Sequence, residues 1–139
     1  KGVTIGISSD ISFEPGSATT KPGFLDILKK IVPTIEESYF MIAVEGHTDS
    51  DPLPKSLRER YPSNWELSGA RASAVVRLLI DLKVDPTRLQ SVGYGEFVPR
   101  DKNTAEIITT DLIQKYNSNP QQKSRNRRVE ITFLAPNKL

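Results

Sequence analysis

The sequence predicts an α/β sandwich, a single mixed sheet with helices packed on one layer of strands. Three features carry that expectation. Short β-branched runs alternate with amphipathic stretches in the order β-α-β-α-β-(α)-β, a strongly capped helix joins two strand-like runs, and a clean period-two strand lies near the end. With 139 residues the chain is the size of one domain, 1–139, and can bury roughly two-thirds of its unfolded surface.

Residues 3–7 are β-branched and end in polar residues, as an opening strand would. Residues 13–20 (FEPGSATT) are loop by composition. From 23 to 37, Phe24, Ile27, Leu28, Ile31, Val32 and Ile35 recur at three and four spacing, which predicts an amphipathic helix that Pro33 should kink or end. Residues 40–46 (FMIAVEG) form an apolar run of strand length, expected in the sheet centre, and open into a polar loop at 47–52.

Ser56 with Glu59 suggests a capping box for one or two turns. Ser63 with Glu66, after Pro62, is a stronger one. The helix it starts should run to about Leu82 with Leu67, Ala70, Ala74, Val75, Leu78, Leu79 and Leu82 inward. Residues 84–87 break it, and 89–94 form a third strand closed by Gly93 and Gly95. A shorter helix is expected at 107–116 and a polar loop at 117–124. Residues 128–134 (RVEITFL) alternate cleanly and form the last strand.

Composition excludes more than it identifies. The chain is 37% apolar and 26% charged, with a formal charge of +2. The one dense basic cluster, Arg125, Arg127 and Arg128, has no interleaved aromatics, which argues against nucleic acid as a partner. No apolar run approaches the ~20 residues of a membrane span. There are no cysteines, so disulfides, thiolate metal sites and cysteine nucleophiles are excluded, and an oxidising compartment would be tolerated. The sequence starts at Lys1 without a signal peptide, and is expected to be a fragment whose targeting or anchoring segment lies upstream.

One pair of charges stands out. Asp49 sits just past a predicted central strand, where open α/β sheets tend to bind ligands. Arg71 lies about two turns into the capped helix and borders its apolar face, so its guanidinium needs an anionic partner. The pair is either a structural salt bridge or two halves of a site for a zwitterion, in which the carboxylate takes an ammonium and the guanidinium fork takes a carboxylate. His47, Asp49 and Asp51 alternate at i, i+2 and i+4 but lack a fourth ligand, and Pro52 follows directly. No metal and no cofactor are therefore expected. With one histidine and no serine in a nucleophile-elbow pattern, catalysis is not expected either. Glu45, inside the apolar strand, suits a structural contact better than a role in glycan cleavage.

Four blocks then occur in order: EGHTD at 45–49, NWELSGARA at 64–72, GYGE at 93–96 and NRRVEI at 126–131. Together they resemble the OmpA C-terminal-like peptidoglycan-binding domain over about residues 40–134. YPSNWELS at 61–68 and the long gap after Asp49 resemble its MotB branch, the flagellar motor stator. The resemblance implies non-catalytic binding of the wall stem peptide, with Asp49 on the diaminopimelate ammonium and Arg71 on its carboxylate. It places Thr48, Asn64, Leu67 and Ser68 beside the ligand. Arg128 would be a second cation there, although Arg127 could equally face inward. It further implies a periplasmic location, a MotA-like channel partner reached through the missing N-terminal part, and a homodimer. A porin- or Pal-like tether without a motor is the alternative within the family. Residues 101–124 exceed the usual family gap and are expected as an insert, either a helix on the sheet edge or a docking element.

Overall fold

In the computed structural model, which describes residues 2–134, four strands form one mixed sheet in the order β1-β4-β2-β3. The elements are β1 (Thr4–Ser8), α1 (Ser9–Ser12), α2 (Phe24–Glu36), β2 (Met41–His47), α3 (Asn64–Asp81), β3 (Leu89–Gly93), α4 (Thr110–Lys115), α5 (Pro120–Asn126) and β4 (Arg128–Leu134). Strand β4 is antiparallel to both β1 and β2, whereas β2 and β3 run parallel and are joined through α3. The expected sandwich and its central apolar strand are therefore found.

Strand pleating sorts the side chains of β2 and β4 onto two faces. Ile42 and Val44 of β2 join Val129, Ile131 and Phe133 of β4 in the apolar core. Phe24, Leu28 and Ile35 of α2 and Ala72, Val75 and Leu79 of α3 complete that layer. The other face carries Glu45, His47, Arg128, Glu130 and Thr132. These polar groups satisfy one another: the Thr132 hydroxyl donates to Glu45 Oε1 at 2.6 Å, and the Tyr94 hydroxyl to Glu45 Oε2 at 3.3 Å. His47 stacks on Tyr94 with centroids 5.2 Å apart and lies 4.0 Å from Glu130.

Helix α3 begins as its capping box predicts. Ser63 accepts from the Trp65 amide at 3.1 Å, and its hydroxyl donates to Glu66. Helix α2 covers the expected stretch and continues past Pro33 to Glu36, with Ile35 fully buried. Other expectations need correction. Ser56 and Glu59 do not make a capping box; a 3₁₀ turn at Lys55–Leu57 lies there without a side-chain cap. The helix expected at 107–116 shrinks to α4, which leaves Ile107 and Ile108 exposed, while residues 120–124 of the expected polar loop fold as part of α5. The signal for α5 was local: Asn119 caps it through Gln122 N–H at 2.8 Å, and Pro120 occupies the first turn, where its missing N–H costs nothing.

Glu130 illustrates how the polar face responds to acid. Burial raises its carboxyl pKa, but the Arg128 guanidinium, which donates to it, outweighs burial and holds it below the ordinary 4.5. A carboxyl depressed in the fold stabilises fully above its unfolded value and loses that contribution as pH falls through the folded one. Glu130→Gln is expected to melt below wild type at pH 7, with the gap closing below pH ~4. Melting curves across that range check it; a gap independent of pH would contradict the pairing.

Candidate ligand-binding site

The site is built where α3 meets the carboxyl ends of β2 and β3. Gly46 and Gly93 permit the approach: a Cβ on Gly46 would overlap the Ser68 carbonyl, and one on Gly93 would lie 2.6 Å from Gly69 N. Ser68 is fully buried in this contact, donating to the Trp65 carbonyl at 3.0 Å and accepting from Gly95 N–H at 3.0 Å. Thr48 N–H donates to the Gly95 carbonyl at 2.8 Å, so the two strand ends stay paired beyond the sheet.

Asp49 follows at once, its side chain 11% exposed. One carboxylate oxygen accepts from Asp51 N–H at 2.9 Å and the other from Arg127 Nη1 at 2.6 Å. Arg127 also forks Asp10, Nε to Oδ1 at 2.9 Å and Nη2 to Oδ2 at 3.1 Å. The hydrogen bonds that it donates to Asp10 and Asp49 raise the guanidinium's pKa, and Arg127 in turn holds the Asp10 carboxyl below its usual value. Asp49 is thus latched, yet a carboxylate offers about four lone-pair directions and retains acceptor capacity.

Arg71 is 5% exposed and is held differently. Its Nε donates to the Ser17 carbonyl at 2.8 Å and its Nη2 to the Glu14 carbonyl at 3.4 Å, while the guanidinium lies over the Phe13 ring, 5.1 Å from the centroid. Among the described residues it forms no ion pair. Burial depresses its pKa, opposed by the charge of Asp10 and, more weakly, of Asp49. The structural Asp49–Arg71 salt bridge, open on sequence grounds, is not formed. The two side chains share one end of the sheet, and the direct partner of Asp49 is Arg127.

The remaining expected residues shape the site more than they face it. Asn64 donates from Nδ2 to the carbonyls of Asp49 at 3.3 Å and Asp51 at 3.0 Å, fixing the loop. The Thr48 hydroxyl turns back onto the Asp49 carbonyl at 2.8 Å. Leu67 packs with Leu53 and Tyr61. Arg128, expected as the second cation, is buried and committed elsewhere: it donates to Glu130, to the Asn126 carbonyl at 3.1 Å and to the Val98 carbonyl at 3.1 Å. Arg127 takes the place beside Asp49. Strand parity could not separate the two, because Arg127 precedes β4 and escapes its alternation.

The segment expected as an insert reaches into this loop. Asn117, 7% exposed, accepts from Ser50 N–H at 3.1 Å and from Asn126 Nδ2 at 2.9 Å, and donates to the Ile113 carbonyl at 2.8 Å. Lys123 pairs with Asp51 at 3.0 Å. Within residues 101–124, Asn117 and Lys123 thus brace the Asp49 loop at Ser50 and Asp51. As for a metal, Asp49 and Asp51 are engaged by cations and His47 is buried against Tyr94. Among the described residues no group of three or more His, Asp or Glu is arranged to hold an ion.

A single mixed four-stranded sheet with helices packed on it is the fold of the OmpA-like class. The OmpA family model matches residues 12–109, and the chain belongs to the OmpA family. YtxE of Bacillus subtilis (strain 168) is 33% identical over 135 residues, 96% of this chain and 48% of that protein, so the chain spans about half of this curated relative. The periplasmic domain of Helicobacter pylori MotB superposes with a TM-score of 0.75 at 27% identity, covering 95% of this chain and 81% of that one. The cell wall anchor of the T6SS from Pseudomonas aeruginosa superposes at 0.72 with 31% identity, covering 95% and 80%. The family match ends before α4, so Asn117 and Lys123 lie outside it.

Replacing Asn117 tests the brace. Asn117→Ala removes the acceptor for Ser50 N–H and is expected to speed amide exchange at Ser50 about tenfold or more, as loss of one buried hydrogen bond implies. Exchange in β4 should be nearly unchanged; equal exchange at Ser50 in both proteins would mean the loop is rigid without Asn117.

Proposed function

We propose that this domain anchors a larger envelope protein to the bacterial cell wall by binding, without cleaving, the diaminopimelate-containing stem peptide of peptidoglycan. The observation that carries the reading is the Arg71 guanidinium, buried and held by neutral carbonyls with no ion pair among the described residues. A buried charge left in that condition is costly unless an anion arrives to compensate it. A ligand carboxylate would meet Arg71, and the ligand's ammonium would use the remaining acceptor directions of Asp49. Asp10, Asp49, Arg71 and Arg127 sum to zero charge, which suits a zwitterionic side chain over a simple anion.

The relatives support the wall as partner, since one is named a cell wall anchor and another is the periplasmic domain of MotB. In this reading the domain lies in the periplasm, as a homodimer, and fixes a MotB-like stator beside a MotA-like channel. The similarity to the T6SS anchor favours a second context, a wall tether with no motor. Both contexts use the same site.

Co-sedimentation with insoluble diaminopimelate-type peptidoglycan tests the reading. Asp49→Asn and Arg71→Lys are each expected to weaken retention about tenfold or more, the size of one lost charge-assisted contact. Arg71→Lys fails because one ammonium cannot reproduce a planar two-bond grip. Retention equal to wild type in both variants would refute the site. Since Asp49 and Arg71 are not paired, their double variant should show no rescue of the melting point; strong mutual rescue would restore the salt-bridge view.

A further inference from the structure

Away from the Asp49 loop, a cavity of about 610 Å³ opens between residues 18–20, the stretch before α3 and the later turns of α3. Asp49, Arg71 and Arg127 do not line it. Two cations reach it from different elements: Arg60, just ahead of the α3 cap, and Arg77, late in α3. Both residues are exposed, and among the described residues neither guanidinium forms a hydrogen bond or an ion pair. Arg60 only lies over the Tyr61 ring, 5.8 Å from its centroid. Arg125, Arg127 and Arg128, by contrast, each pair with a carboxylate. Asp81, one turn past Arg77, also lines the cavity yet makes no ion pair with it. The hydroxyls of Thr19 and Thr20 are unpartnered among the described residues, and Tyr61, Ala70 and Leu78 supply an apolar wall.

We propose that this cavity is a second binding site, which takes a phosphate monoester carried on a small organic body. The site is independent of the wall-binding reading above. A phosphate monoester bears about −1.5 to −2 charges near pH 7, which the two guanidiniums match. Each guanidinium presents a planar fork of N–H donors, and with the two threonine hydroxyls these exceed the lone pairs that one carboxylate offers. A phosphate monoester adds a third terminal oxygen and more charge, so it meets more of those donors. The organic body would lie against Tyr61, Ala70 and Leu78, and its hydroxyls would donate to the Asp81 carboxylate at the edge. The volume falls within the roughly 300–1,000 Å³ of small-molecule sites. A protein partner fits less well, because the recess offers no broad patch of about 800 Å² per side such as a stable interface uses.

Calorimetric titration of the 139-residue protein with glycerol 3-phosphate, inorganic phosphate and acetate tests the site. Wild type should bind glycerol 3-phosphate saturably, about threefold or more tighter than inorganic phosphate, as burial of a small organic body implies, and about tenfold or more tighter than acetate. Arg60→Gln and Arg77→Gln alter exposed side chains, so both should melt near wild type; each should weaken glycerol 3-phosphate about tenfold, the size of one lost charge-assisted contact. Lys30→Gln removes an exposed charge on α2 outside the cavity and should bind as wild type does. No saturable binding by wild type, or binding that survives both arginine substitutions, overturns the site. A comparable loss in Lys30→Gln also overturns it, by assigning the effect to overall charge. Inorganic phosphate or acetate binding as tightly as glycerol 3-phosphate overturns the ligand class.

Discussion

The near-contact of α3 with the ends of β2 and β3 is the constraint on which the site depends. With any side chain at Gly46 or Gly93 the helix would have to stand off, and Ser68 could not clamp the Trp65 carbonyl to the Gly95 amide. That spacing brings Asn64 within reach of the Asp49 loop and puts Arg71 beneath residues 14–17. The glycines of the 45–49 and 93–96 blocks therefore act through packing, and the charged residues act from positions the packing provides.

The two charges at the site are held by different physics. Asp49 is engaged by a cation that is itself anchored to Asp10, so its orientation is set before any ligand arrives. Arg71 is oriented by carbonyl dipoles and an aromatic face, which align a guanidinium without neutralising it. In the proposed wall-binding role, preorganisation of this kind would lower the ordering cost of binding and leave the Arg71 charge for the ligand to compensate.

Much of this was legible in the residues. Period-two alternation located β4 at Arg128–Leu134, and the Ser63–Glu66 box located the start of α3. Asp49 and Arg71 could be named because a carboxylate after a buried strand and a guanidinium on an apolar border are both locally visible. Their relation was not, since it turns on Arg127, 78 positions from Asp49 in sequence and outside the strand's alternation. The carbonyls of Glu14 and Ser17 carry no side-chain signature at all. Asn117 was hidden for a similar reason: a single polar residue between helices becomes a brace only when α5 folds back beside the loop at Ser50, and the Asn119–Pro120 start of that helix passed as loop composition.

The central claim is that Arg71 is the cation that receives the ligand's carboxylate. It is tested most directly by nitrogen-resolved NMR of the arginine side chains during titration with a diaminopimelate tripeptide. A matched tripeptide whose diaminopimelate carboxylate is amidated serves as the comparison. The expected result is a large downfield shift of the Arg71 Nε–H resonance with the acid and little change with the amide, as a charge-assisted bond replaces or joins a neutral one. Saturable binding of the acid that leaves the Arg71 resonance in place would contradict the account.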